Sequence, residues 1–427
     1  MKNLISLFII ALMAFWFVAE TAIAQEVKIS AELRPRYEMR HGYKKLIPDD
    51  VNAANFVSQR TRLNAFYATN NYRFYLSLQD VRVWGDVPQL NTNDVYGPSI
   101  HEAWGEAIVS EKFSIRVGRQ EIVYDDHRIF GNVGWAQQAR SHDAAILKFI
   151  PSENHKVDVG LAYNAMGESL FKEDYTVNSY KTFQYAWYHG NFNNFGVSFL
   201  ALNNGQAYMD DSDTVKIEQK VAFSQTIGPR LSYKNESFTA SAAFYFQGGK
   251  DDGNNNLSAT YFAVDLAYAI KKFSVGIGME RLSGTGSQEG SDNKSFTPLY
   301  GTNHKFNGWM DYFYVGNHDG SVGLMDIYIP LKYSVNKFSV SVVPHFFSTA
   351  ATLAVNKDGS WKDYDNYLGT EVDLMLSYAM SNEVILQAGY SQMLATETMQ
   401  VLKGGNYENS NNWAWVMLTF KPVFYQK

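Results

Sequence analysis

Arginine is concentrated in the first third of this 427-residue sequence. Of its 13 arginines, 11 lie between Arg34 and Arg140. In the stretch AELRPRYEMR, residues 31–40, charged residues occupy every second position. A guanidinium group presents a rigid fork of N–H donors that fits a carboxylate. A row of such groups on one face would attract a polyanion, provided that no single site holds it too tightly to leave.

The alternation itself predicts the element that carries these charges. A period of two is typical of a β-strand with two unlike faces. The same pattern recurs in FTASAAFYFQ (238–247) and EVDLMLSY (371–378), and helical spacing does not fit. We predict about 18 strands, near residues 26–40, 57–70, 72–85, 99–109, 112–119, 142–150, 155–165, 181–190, 194–203, 218–234, 237–247, 258–270, 272–284, 322–335, 337–347, 366–379, 383–395 and 411–422.

The connections between these segments alternate in length. Eight short turns, such as the one at Asn336, alternate with nine longer loops, such as 120–141 and 285–321. All the short connections then lie at one end, as in an outer-membrane barrel. We therefore predict an all-β fold, a transmembrane antiparallel β-barrel of about 18 strands with short periplasmic turns and long extracellular loops.

A large soluble β-sandwich or propeller is the alternative fold. The apolar face of the strands argues against it, because that face carries almost no charge. An arginine facing lipid at the membrane midplane costs about 2–4 kcal/mol, which explains the segregation. Two details follow from a closed barrel. Pro35 lacks an N–H group, so we expect a local bulge there. Aromatic residues near strand ends are expected to form interfacial girdles: Trp187, Tyr188, Trp413, Trp415, Phe420, Phe424 and Tyr425.

The first 24 residues have the pattern of a secretory signal peptide. Lys2 precedes an apolar stretch, and Ala22 and Ala24 form a small-x-small cleavage site. We predict a signal peptide over residues 1–24 and one barrel domain over residues 25–427, located in the outer membrane of a Gram-negative cell in contact with lipid. The net charge of −6 argues against a nucleic-acid partner.

Strand parity sorts the arginines by face. Arg34, Arg36, Arg60, Arg62 and Arg73 fall on positions predicted to face the lumen, as do Arg40 and Arg116. Residues 1–140 carry 16 basic and 15 acidic side chains. Two interpretations therefore stay open: a selective pathway for an anion, or arginines that pair with carboxylates and brace the wall of a general diffusion porin. The long third loop could also fold into the lumen and narrow it.

The sequence gives little indication of metal binding or catalysis. No HExxH motif or cluster of cysteine and histidine suggests zinc. Ser341 and His345 share a face, but at that spacing on a strand they lie about 13 Å apart, too far for proton transfer. The acidic stretches 210–214 and 251–256 are typical of solvated external loops rather than calcium sites. We expect no enzymatic activity and no cofactor.

Several stretches resemble the alginate export family of outer-membrane barrels. They are GRQEIVYDDHRIFGNVGWAQQARSHDA (118–144), TNHKFNGWMDYFY (302–314), YLGTEVDLMLSYAMS (367–381), LQDVRVWGD (78–86) and SQRTRLN (58–64). The resemblance implies an 18-stranded channel for an anionic, uronate-type oligo- or polysaccharide, with an arginine-lined constriction and periplasmic secretion components as partners. Matching positions add candidate lumen residues: Arg60, Arg62, Arg119, Arg128, Arg140 and Asp143. The sequence departs from the family pattern at Asp125-Asp126-His127, where a carboxylate beside Arg128 is expected to neutralise it in part.

Overall fold

The computed structural model describes residues 26–90, 97–210, 217–318 and 320–427, so the predicted signal peptide lies outside the described residues. One antiparallel sheet dominates the fold. Its first strand pairs with the second strand on one side and with the last strand on the other. The sheet is therefore closed into a barrel, as predicted.

Eighteen strands form the barrel wall. They are β1 Glu26–His41, β2 Ala54–Ala68, β3 Tyr72–Val83, β4 Ser99–Ser110, β5 Phe113–Gln120, β6 His142–Ser152, β7 His155–Tyr163, β8 Tyr180–Phe192, β9 Phe195–Asp210, β10 Glu218–Lys234, β11 Phe238–Lys250, β12 Asn256–Ile270, β13 Phe273–Leu282, β14 Leu324–Tyr328 and Leu331–Val335, β15 Phe338–Ser348, β16 Tyr367–Ala379, β17 Val384–Ala395, and β18 Asn411–Phe420 and Val423–Gln426. Each of the 18 predicted segments overlaps one of them.

Two strands are interrupted at a proline. Pro330 lies in the gap of β14 and Pro422 lies in the gap of β18. Proline has no N–H group to donate to the ladder, which breaks the regular pairing. Its carbonyl still accepts, because Gly276 N donates to Pro330 O over 2.9 Å and Ala31 N donates to Pro422 O over 3.0 Å. Each strand therefore continues through its break.

The predicted bulge at Pro35 is wrong. The ladder between β1 and β2 runs through Pro35 opposite Gln59 without a shift. On the β18 side, the pairs Leu33–Phe420 and Arg36–Met417 keep one register and the rungs between them are absent. The missing N–H group thus removes pairing on one side only. The register shift of this strand occurs at Ile29 and Ser30 instead.

The two faces of the wall differ as predicted. In β1, Ile29, Leu33 and Tyr37 are exposed on the outer face, and Arg34, Arg36 and Glu38 are buried on the inner face. The apolar outer side chains provide the surface that lipid requires, and the polar inner ones line the lumen.

The connections alternate between eight short turns and nine longer loops, which confirms the predicted layout. The sixth long connection has only residues 251–255, because β11 and β12 extend further than predicted. The loops contain a small hairpin, Ala354–Lys357 and Ser360–Asp363, a 3₁₀ turn at Val315–Asn317, and the helix α1, Glu397–Lys403. Among the described residues, no helix is long and apolar enough to cross a membrane.

The two ends of the barrel should differ in their access from outside the cell. Lys357→Cys lies in the loop hairpin, and Lys337→Cys lies in the short turn after β14; both lysines are exposed. We expect a membrane-impermeant thiol reagent to label intact cells that carry Lys357→Cys and not those that carry Lys337→Cys. The chain has no cysteine of its own, so the background is low. Equal labelling of both variants would contradict the predicted orientation.

Candidate functional site

The third long loop, residues 121–141 (L3), folds into the lumen and is held there by Arg34. This β1 guanidinium donates to the carbonyl oxygens of Gly134 and Trp135 over 2.8 and 3.0 Å. It also donates to Gln137 Oε1 over 2.9 Å. Such bonds from a charged donor contribute about 1.5–3 kcal/mol each in sheltered surroundings. The arginine therefore satisfies backbone acceptors that the loop cannot satisfy itself.

Two further arginines of the same wall hold the same loop. Arg36 donates to the Trp135 carbonyl over 2.7 Å and pairs with Glu38. Arg60 pairs with Glu32 over 2.5 Å, and its Nη1 lies 3.4 Å from the Gln137 carbonyl. We call the inner face of β1 and β2 around Arg34, Arg36 and Arg60 the basic wall.

The seventh long loop, residues 283–323 (L7), is held by carboxylates of β16, which lies three strands from β1 in the closed sheet. Glu371 Oε1 accepts the Met310 N–H over 2.8 Å, and Asp373 Oδ2 accepts the Trp309 N–H over 3.2 Å. Gly308, with φ +80°, lies so close that a Cβ there would stand 2.6 Å from Glu371. The loop therefore needs glycine at this position, both for its backbone angle and for this contact.

These carboxylates belong to a row along neighbouring strands. Glu280 on β13, Asp326 on β14, and Glu371 and Asp373 on β16 are all buried on the inner face. His345 on β15 lies between them, with Nδ1 2.9 Å from Asp326 and Nε2 3.7 Å from Asp373. We call this row the acidic wall. The lumen thus carries a row of arginines and a row of carboxylates on different strands.

L3 and L7 meet inside the barrel. Phe130 and Tyr300 form a parallel bridge, in which the Gly131 N–H donates to the Tyr300 carbonyl over 2.9 Å. Arg128 crosses from L3 to the acidic wall, where it pairs with Glu280 and donates to Asn307, each over 3.0 Å. The two loops therefore form one connected partition across the lumen.

Trp135 lies at the centre of this partition. The Arg36 guanidinium lies 4.1 Å from its ring centroid, and the His304 ring of L7 stacks on it at 4.0 Å. Trp413 and Trp415 of β18 approach it edge-on, at 5.7 and 4.8 Å. Cation–π and aromatic contacts of this kind stabilise one arrangement of the rings.

Water-accessible cavities lie on both sides of Trp135. The β1 mouth cavity, about 590 Å³, opens near the long loops and is bordered by Arg40, Lys44 and Trp135. The inner cavity, about 660 Å³, lies toward the short turns and is bordered by Trp135, Asp265 and Gln387. Trp135 borders both cavities, so it stands where a solute would pass from one to the other.

A third space, the β8 mouth cavity of about 850 Å³, also lies at the long-loop end. Arg140 borders it and donates to the Gly301 carbonyl over 2.9 Å. Among the described residues, Arg140 has no carboxylate within ion-pair distance. His142 borders the same cavity, is 2% exposed, and has no hydrogen-bond partner for Nε2. His142 Nε2 is buried from solvent, and Arg119 and Asp143 of the same cavity pair with each other, so Arg140 is the cation here that has no carboxylate partner among the described residues.

The predicted pore arginines thus separate into different roles. Arg34, Arg36 and Arg60 hold L3, and Arg128 joins L3 to the acidic wall. Arg62 lies near Glu121, and Arg73 pairs with Glu106 over 3.1 Å. Arg119 and Asp143 pair with each other over 2.8 Å at the mouth, in strand positions with the outward parity of Val117 and Leu147. Among the described residues, the Arg140 side chain makes one hydrogen bond, to the Gly301 carbonyl, and no ion pair.

The expected neutralisation of Arg128 by its neighbours is wrong. Asp125 points into the barrel wall, where it accepts hydrogen bonds from Ser198 and Trp187. Burial raises the pKa of Asp125, although these two bonds oppose the shift. Asp126 pairs with Arg230 over 3.0 Å. The carboxylate that compensates Arg128 comes from Glu280 on a distant strand.

The predicted girdle is also wrong in part. Trp187, Trp413 and Trp415 are at most 9% exposed and face the lumen, where they contact L3. Phe424 and Tyr425 are exposed, as a girdle requires. The strand parity of these tryptophans would have placed them inside. The same rule applied to β13–β16 would have found the acidic wall.

Removal of Arg34 should loosen L3. Arg34→Ala deletes five hydrogen bonds to residues 134–137. Local opening of the loop should then need less free energy by at least the value of one such bond, about 1.5–3 kcal/mol. Hydrogen exchange of the amides of residues 136–140 should then be roughly ten- to a hundredfold faster. Arg73→Ala, which touches no L3 residue, is the control. Unchanged exchange in Arg34→Ala would show that L3 is held by other contacts.

No family model and no curated protein matches the chain, so the resemblance to the alginate export family stays a hypothesis. Solved structures do match. OccAB4 of Acinetobacter baumannii is 14% identical, with a TM-score of 0.62 over 95% of this chain and 100% of that one. A BenF-like porin of Pseudomonas fluorescens Pf-5 is 12% identical, with a TM-score of 0.60 over 93% and 99%. The outer membrane protein opdK of Pseudomonas aeruginosa is 12% identical, with a TM-score of 0.58 over the same shares. At this level of identity the likeness establishes the fold, and the chain has the closed 18-stranded β-barrel of outer-membrane porins.

Proposed function

We propose that the protein is an outer-membrane porin through which small polar solutes diffuse passively. The observation that carries this proposal is the pair of cavities on either side of Trp135, inside a barrel whose outer face is apolar. A passage that joins two such spaces needs only a modest displacement of side chains at the partition. The barrel fold shared with porins supports the same function.

The contacts of the arginines favour a general diffusion porin over a continuous pathway for anions. Arg34, Arg36 and Arg60 are nearly fully buried and bonded to L3 or to carboxylates. They therefore shape the constriction rather than present free donors to a solute. The acidic wall balances their charge across the lumen, so the pore has no single sign of charge along its length.

Reconstitution tests the porin proposal. The mature chain in planar bilayers should give stepwise, ohmic single-channel currents at both signs of voltage. The same preparation should migrate as a heat-modifiable barrel, which shows that it is folded. A folded protein that carries no current would contradict passive diffusion through the lumen.

A channel for an anionic, uronate-type oligo- or polysaccharide, similar to alginate export, is the second candidate. The β8 mouth cavity favours it, because Arg140 borders this cavity and has no carboxylate within ion-pair distance among the described residues. A polymer would also require L3 and L7 to move apart, since they meet inside the barrel. Lipid, and periplasmic secretion components on the short-turn side, are the partners that this function would need.

The two candidates differ in their response to uronates. If an anionic sugar enters the β8 mouth cavity, uronate oligomers should block the current, and Arg140→Gln should weaken that block several-fold, because water and salt reduce such a contact toward about 0–1 kcal/mol. Arg73→Gln, at the other end of the lumen, should leave the block unchanged. Current that is indifferent to uronates in every variant would leave the general porin and exclude the uronate channel.

A further inference from the structure

Strand β4 contains a bulge at His101. Ser77 of β3 lies opposite Glu102, and Leu78 lies opposite Ile100, so His101 has no partner in that ladder. Ile100 faces outward and is 51% exposed, whereas His101 is 3% exposed. In a regular strand, successive side chains point to opposite faces. The extra residue turns both His101 and Glu102 toward the lumen.

Glu121, the first residue of L3, completes a group of three. His101 Nε2 lies 2.8 Å from Glu121 Oε1, and Glu102 Oε2 accepts the Glu121 N–H over 2.9 Å. One nitrogen or oxygen atom from each of the three side chains lies within 4.8 Å of the others. Imidazole nitrogen and carboxylate oxygen are donors that Zn²⁺ and similar divalent ions accept.

Basic side chains approach one of the two carboxylates in this group: Glu121 has His101 Nε2 at 2.8 Å and Arg62 Nη1 at 3.8 Å. Two carboxylates face one guanidinium, Arg62, whose Nη1 is 3.8 Å from Glu121 and so makes no hydrogen bond. Arg62 Nε donates a hydrogen bond to Gln79 Oε1 over 2.9 Å. Arg62 Nη2 is buried and has no hydrogen-bond partner. Among the described residues, no lysine or arginine lies within ion-pair distance of Glu102.

Glu106, four residues further along β4, provides the contrast. Its carboxylate contacts Arg116 at 2.6 Å, Arg73 at 3.1 Å and Lys148 at 4.0 Å. The Glu106 carboxylate is thus compensated by three cations of the chain. Glu102 lacks such a cation, and a divalent ion held between His101, Glu102 and Glu121 would supply one.

We propose that His101, Glu102 and Glu121 bind a divalent transition-metal ion of the zinc type, with water as the remaining ligands. The site is separate from the proposed diffusion function and does not depend on it. Its consequence would be local, because Glu121 Oε2 also accepts the Asn132 side-chain amide over 2.7 Å. A bound ion would orient Glu121 and, through Asn132, fix the stem of L3 to the wall.

Calorimetric titration of the refolded mature barrel with ZnCl₂ tests this site. We expect one saturable ion per chain, weakened at least tenfold by His101→Ala and by Glu121→Gln, since even residues that only support a ligand alter metal affinity by about 10–100-fold. His155→Ala, at the short-turn end, is the matched control and should bind as the original chain does. Glu102→Gln keeps the shape of the side chain and removes its charge. A loss of Zn²⁺ affinity in this variant would therefore not reflect misfolding.

Hydrogen exchange gives an independent readout. Zn²⁺ should slow exchange of residues 122–133 in the original chain and leave it unchanged in Glu121→Gln. Heat-modifiable migration verifies that each variant is folded. Equal affinity in the original chain and in all the ligand variants would place the ion on exposed acidic loops and overturn the proposal, as would the absence of saturable binding.

Discussion

The structure depends on the way in which two loops satisfy their backbone polar groups inside the barrel. L3 presents carbonyl oxygens to the guanidinium groups of Arg34 and Arg36, and L7 presents N–H groups to the carboxylates of Glu371 and Asp373. A loop that leaves bulk water must find such partners, because each unpaired group costs about 1–3 kcal/mol. The part of the wall that binds carbonyl oxygens is therefore rich in arginine, and the part that binds N–H groups is rich in carboxylates.

This arrangement determines which charged groups of the lumen remain free to contact a solute. The charged groups that hold the loops through several bonds, such as Arg34, are buried and are not free to bind a solute. Arg140 differs, because its side chain makes one hydrogen bond and borders the β8 mouth cavity. The position of Trp135 follows from the same contacts, since Arg36 binds its carbonyl and stacks on its ring. The contacts of Arg36 that hold L3 are thus the same contacts that position the Trp135 ring in the lumen.

The wall was predictable from sequence, and the partition was not. Strand parity follows directly from a two-sided environment of lipid and water, so the 18 segments and the inward direction of Arg34, Arg36 and Arg60 were correct. The partners of these side chains lie far away in sequence: Arg34 binds residues about 100 positions later, and Arg128 binds Glu280. Local patterns do not contain such contacts. Pro35 and Trp413 differ from what their residue types suggest. The neighbouring strands keep the register at Pro35, and strand parity places Trp413 inside the lumen.

The conductance of a single channel of Trp135→Ala tests the account most directly. Trp135 separates the β1 mouth cavity from the inner cavity, so loss of its ring should join them and raise conductance clearly above that of the original chain. Trp104→Ala, which also removes an inward-facing tryptophan but borders neither cavity, should change conductance little. Equal conductance in Trp135→Ala and the original chain, with both barrels folded, would contradict a constriction formed by L3 and L7.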